Sequence, residues 1–188
     1  MAIHITGNDA ADELLTNDPF ALLVAMLLDQ QIPMETAFIG PLKIVERVGS
    51  IAPAAIAGLD PDALTEVFRR TPAVHRFPGS MAGRVHTLAQ TVVDEWDGDA
   101  AAIWQRGNPD GAEVLRRLKA LPGFGDQKAG IFLALLGKQC GLAAPGWREA
   151  SGKYGAGECM LSVADIVDAE SLRRVREAKR AAKAAARG

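Results

Sequence analysis

From Pro19 to Leu28 every position is apolar, and Asp29 closes the run. The run is too short to span a bilayer, which needs about 20 apolar residues. It predicts a helix from Phe20 to Gln31 that is buried on most sides, with Asp18 as its cap and Pro19 in its first turn. Pro33 bends the chain, and a second helix follows from Glu35 to about Arg47, with Pro41 early in it as a place for a kink. Gly49 to Asp60 is a turn-rich connector with a short helix, and Asp60 and Pro61 open a helix from Asp62 to Arg70. Thr71 to Gly79 is a loop. Ser80 is expected to cap a helix from Met81 to Trp96, which Asp97, Gly98 and Asp99 stop. A short helix from Ala100 to Gln105 holds Trp104. Val114, Leu115 and Leu118 fall at helical spacing in Gly111 to Ala120, and Ala129, Phe132, Leu133 and Leu136 do so in Asp126 to Lys138. Gly141 to Gly157 lacks periodicity and is a natural place for a site. Ser162 to Ala182 is a last helical region with a break near Asp168. Strand-like alternation is nearly absent, so the pattern predicts an all-α protein without internal repeats.

The length, 188 residues, fits one domain or two small lobes sharing a core, and 48% hydrophobic content supplies that core. The N-terminus has no basic-then-apolar leader pattern, and the expectation is a cytoplasmic, nucleoid-associated protein with no membrane partner. Two cysteines, Cys140 and Cys159, are too few for an all-cysteine zinc site or a four-cysteine iron–sulfur cluster. His4, His75 and His86 show no metal spacing and read as ordinary surface or semi-buried histidines. The formal charge is −2, yet Arg173 to Gly188 holds seven basic residues and one acid. This basic tail either supplies non-specific phosphate attraction or is a solvated, fraying, Ala-rich helix end.

The segment Leu118 to Gly130 joins two of these helices through Leu121, Pro122, Gly123, Phe124 and Gly125. Pro122 and the two glycines make a turn too tight for side chains and open the backbone to close approach. The helix that follows presents free N–H groups to an anion. The pattern therefore reads as a helix–hairpin–helix that grips a DNA phosphate. With Leu27, Leu28, Asp29, Gln30 and Gln31 upstream, and with the segment His75 to Ala89 between them, it resembles the HhH-GPD superfamily of base-excision DNA glycosylases. The likeness is closest to a small bacterial subfamily without the iron–sulfur cluster.

That resemblance implies an all-α, two-lobed fold. Residues 18–138 would form the helical core, with the hairpin at 112–138. Residues 1–17 and 139–188 would form a second helical lobe. It implies a double-stranded DNA partner carrying a damaged base or an abasic site, bound by a monomer, with the damaged nucleotide flipped into a pocket. Gln31 matches the residue that fills the gap in the duplex. Leu121, Gly123, Gly125, Gln127 and Lys128 would lie along the phosphate backbone. The carbonyls of Lys119, Leu121 and Phe124 match positions that bind a monovalent cation between hairpin and phosphate, and no other cofactor is implied.

Two departures from the family pattern shape the chemistry. Bifunctional members carry a Schiff-base lysine two residues after the second hairpin glycine, where this chain has Gln127. Lys128 is next in sequence but about 100° around the helix, directed toward a phosphate rather than the sugar, so no lyase activity is expected. The family's catalytic aspartate falls in Leu142 to Glu149, where no aspartate occurs and Trp147 stands in its place. Glycosidic cleavage builds positive charge on the sugar, and a buried carboxylate stabilises it and orients water. Glu149, Asp29 and Glu35 are the candidate replacements, and Trp147 is either core or a platform for the base. The sequence thus predicts a monofunctional glycosylase. The alternative is a non-catalytic binder of damaged DNA on the same fold.

Overall fold

A computed structural model describes residues 3–157 and 159–185, and among them the regular structure is entirely helical. Eleven α-helices follow one another among these residues: α1 (Asp9–Asn17), α2 (Pro19–Leu28), α3 (Met34–Val48), α4 (Pro53–Ala57), α5 (Pro61–Arg69), α6 (Pro78–Trp96), α7 (Ala102–Gln105), α8 (Gly111–Ala120), α9 (Asp126–Gln139), α10 (Trp147–Ala150) and α11 (Ala169–Ala185). Single 3-10 turns lie at Gly152–Tyr154 and Val163–Asp165.

α2 is the central pillar. Asp18 caps it by accepting the N–H groups of Phe20 and Ala21, at 2.9 Å each. Phe20 to Leu28 are all buried. Each large apolar side chain so placed contributes about 1.5–3 kcal/mol, which fixes α2 in the middle of the molecule. α3 crosses it closely, because a Cβ on Gly40 would stand 2.5 Å from Leu28 Cδ1. α4 and α5 lie along α6. Arg47 of α3 ties that group down by donating to the carbonyls of Val67 and Pro72, both at 2.7 Å. α8 and α9 form the hairpin, and Phe132 of α9 stacks edge-on against both Phe124 and Trp104.

Two boundaries differ from the sequence expectation, each for a physical reason. α2 stops at Leu28 rather than Gln31, and Gln31 adopts φ +58°. The carbonyls of Met26 and Leu27, which a continuing helix would bond to residues 30 and 31, accept instead from the Lys128 ammonium at 2.7 and 3.0 Å. α6 begins at Pro78, not Met81: the proline ring suits the first turn, and Ser80 sits inside the helix rather than capping it. The break at Asp168 is present, with its carboxylate taking the Ser171 N–H at 2.7 Å.

The basic C-terminal segment is not a frayed end where it is described. Val175 of α11 is fully buried, and Arg176 forms an ion pair with Glu35 of α3. Arg187 lies outside the described residues. Among those residues no helix is long and apolar enough to cross a membrane.

Candidate nucleic-acid interface and active site

The hairpin is built by its backbone. The Leu121 carbonyl accepts the Phe124 N–H at 3.1 Å, closing a tight turn over Pro122 and Gly123. Gly123 takes φ +82°, which only glycine adopts freely, and its missing Cβ leaves room for Leu27 of α2. Gly125 then leads into α9, whose first turn has no side-chain cap. The first N–H groups of α9 are thus directed outward. The Lys119 carbonyl belongs to the last turn of α8, and the Leu121 carbonyl keeps a second lone pair. Such hard backbone oxygens suit an alkali cation. The Lys119 side chain swings to Asp126, 2.6 Å away.

Beside the hairpin is a cleft of about 650 Å³. One wall is the end of α2 with its turn, carrying Met26, Asp29, Gln30 and Gln31. A second is the hairpin and the start of α9, with Gly123, Gly125, Gln127 and Lys128. The far wall is supplied by Tyr154, Leu161 and α11, the last through Ala178, Lys179 and Ala182. Asp126 also lines the cleft, with an exposed side chain bound to Lys119.

Asp29 is the carboxylate set back into this cleft. Burial pushes its pKa up from the ordinary 3.8, the cations of Lys179 and Lys128 oppose that rise, and Glu35 adds to it. Lys128 faces it across the turn. Burial lowers the Lys128 pKa to about 8, with Asp29 pulling it back up and Arg84 pressing it further down. The helix-end carbonyls of α2 make this a site that favours a cation.

The turn after α2 is braced from two sides. The Gln30 amide donates to the Leu27 carbonyl at 2.9 Å, and its Oε1 accepts from Arg84 of α6 at 3.1 Å. His75 reaches the Gln30 carbonyl from the loop before α6, at 3.0 Å. Gln31 itself is exposed and borders a second hollow with Ile32, Pro33 and Arg76. Beyond Arg76 stands Phe77, 43% exposed, with the Arg76 guanidinium 4.8 Å above its ring.

The structure therefore brings together Asp29, Gln31, Gly123, Gly125, Gln127 and Lys128. It places three other expected residues elsewhere. Trp147 is not in the cleft: its indole lies on Gly137 of α9, where a Cβ would come within 2.4–2.5 Å of three ring atoms, and the Arg148 guanidinium lies over the ring, 4.4 Å from its centroid. Glu149 is exposed on the same short α10. Glu35 is close to Asp29 but bound to Arg176. Lys128 is corrected in direction as well, because its ammonium is spent on α2 carbonyls inside the cleft rather than on an outward phosphate. His75, expected at the surface or half-buried, is 2% exposed.

Sequence reasoning missed Lys179, Tyr154, His75 and Phe77. Only Phe77 left a local signal, an aromatic between Arg76 and Pro78 in a loop. The others depend on how distant segments pack.

The model of the HhH-GPD superfamily base excision DNA repair protein matches residues 24–187 of the chain. No curated protein and no solved structure matches it.

Proposed function

Because this chain belongs to the HhH-GPD superfamily of base excision DNA repair proteins, and acts on DNA, we propose that it is a monofunctional DNA glycosylase whose carboxylate is Asp29. The observation that carries the proposal is the position of Asp29, half-buried in the cleft beside the hairpin with its pKa raised by desolvation. A carboxylate so placed stabilises the positive charge that develops on the deoxyribose and accepts a proton from the attacking water. Water adds to C1′, the bond from C1′ to the base nitrogen breaks, and the base leaves with its electron pair and takes up a proton. The end of α2, rather than the 142–149 loop, supplies the acid.

The phosphate beside the flipped nucleotide would rest on the outward N–H groups at Gly123, Gly125 and the first turn of α9. The carbonyls of Lys119, Leu121 and Phe124 would hold the bridging monovalent cation. Gln31 would enter the gap left in the duplex. Phe77, exposed on the neighbouring loop, would wedge against the opposite strand, with Arg76 on a phosphate. Tyr154, Ile131 and Leu161 offer the flipped base an apolar wall.

Single-turnover incubation with duplexes carrying uracil, hypoxanthine, 8-oxoguanine, an alkylated adenine or an abasic site tests the proposal. Excision of one lesion, revealed by alkali and lost in Asp29→Asn with abasic-site binding retained, is the expected result. Excision unchanged in Asp29→Asn would remove Asp29 from the mechanism. The absence of any cleft acid from the 142–149 loop favours a second reading, a damage-binding protein without catalysis. Tight abasic binding with no excision across the panel would establish it.

A further inference from the structure

We propose that His75 is a positioning residue that locks the two DNA-probing loops, the turn carrying Gln31 and the loop carrying Phe77, into one rigid unit. The inference rests on the assignment of Gln31 and Phe77 to the duplex made above. Its own support is geometric. The His75 ring is buried, and both of its nitrogens are used. Nε2 lies 3.0 Å from the Gln30 carbonyl oxygen, which can only accept, so Nε2 carries the proton. Nδ1 lies 3.1 Å from the Phe77 N–H, which can only donate, so Nδ1 carries the lone pair. One neutral tautomer satisfies both partners, which are neighbours of Gln31 on one side and the wedge residue itself on the other.

The geometry makes this a strut rather than a filler. Gln30 is already fixed to α2 through Leu27 and to α6 through Arg84. The imidazole adds the connection from that hub to the loop ahead of α6. Gln31, next in sequence, and Phe77 then stand at a set separation. Two groups that must enter a duplex together lose less entropy on binding when their spacing is fixed beforehand. The groups acting on the ring are the Gln30 and Leu28 carbonyls at the end of α2, Arg76 on its own loop and Lys128 from α9. Burial is the main reason its pKa falls below 6.5, so the neutral strut is the form present at neutral pH.

The test is a double-mutant cycle between Gln31→Ala and Phe77→Ala, run in three backgrounds: wild type, His75→Asn and His75→Gln. The readout is binding to a duplex with a tetrahydrofuran abasic analogue, with 2-aminopurine opposite it to report unstacking. Asn keeps an atom near the Nδ1 position and Gln one near Nε2, so each variant retains one link and breaks the other. In the wild-type background the double variant should depart from the product of the two single losses by about fivefold or more. In both His75 backgrounds the losses should multiply without excess, and the 2-aminopurine signal should fall, at circular dichroism equal to wild type. Coupling that persists in either His75 variant, or that is absent in the wild-type background while each single variant weakens binding, overturns the proposal. Single variants at Gln31 and Phe77 that leave binding unchanged overturn instead the assignment of these loops to DNA, and the strut with it.

Discussion

The two hairpin glycines should fail in different ways when each is replaced by alanine. Gly123 has φ +82°, and a Cβ there would stand 2.4 Å from Leu27 Cδ1. Holding a residue with a Cβ in that left-handed region costs about 1–2 kcal/mol. Pushing the buried Leu27 side chain off its rotamer adds about 0.5–1.5 kcal/mol. The total of about 1.5–3.5 kcal/mol corresponds, in a chain of this size, to a fall in Tm of about 3–14 °C. Gly125 is the opposite case. Its φ is −77°, ordinary for any residue, and no atom stands within 4 Å of where its Cβ would be. Nothing inside the protein requires glycine at that position; under the proposed function, the open backbone there serves close approach of a phosphate. Gly125→Ala should therefore keep Tm within about 2 °C, since alanine's poorer N-capping is offset by a less flexible unfolded chain. It should weaken binding to an abasic duplex about 10- to 100-fold, the worth of a hydrogen bond to a charged group. Thermal melts by circular dichroism and fluorescence anisotropy with labelled duplex, at one fixed salt concentration, measure both quantities. A Gly125→Ala variant with undiminished affinity, or a Gly123→Ala variant as stable as wild type, would refute the reasoning.

Three further outcomes follow from the cleft and its surroundings. The excision rate should rise with pH through a pKa displaced above the usual 3.8 of an aspartate, because Asp29 acts ionised and burial raises its pKa; a rate flat across that window removes it as the base. Lys128 titrates near 8 when folded and near 10.5 when unfolded, so below 8 both states hold the proton and above 10.5 neither does. Between those limits the folded state binds fewer protons, and the stability of wild type relative to Lys128→Met should climb as pH rises from 8 to 10.5, measured by urea denaturation. Gly137→Ala should lower stability by about 1–3 kcal/mol through overpacking against Trp147 while leaving excision intact at temperatures where the variant is folded. A selective loss of excision in that variant would return Trp147 to the base pocket.

What the sequence determined by itself is the part whose physics is local. Asp18 and Asp60 cap the helices that follow them because a carboxylate reaches N–H groups two and three residues on. Pro122, Gly123 and Gly125 specify a turn within a few residues, so the hairpin and the family it belongs to were legible without coordinates. The all-helical class followed from periodicity in the same way. The tertiary structure decided everything that joins distant segments. Lys128 ends α2 from 101 and 102 residues away. Arg176 meets Glu35 across 141, which lays α11 along the cleft and brings Lys179 beside Asp29. Among Asp29, Glu35 and Glu149 the sequence offered three carboxylates of equal chemistry. Which of them faces the cleft is a property of how α2, α9 and α11 pack, and hydrophobic burial of those helices places a polar side chain without regard to its distance along the chain.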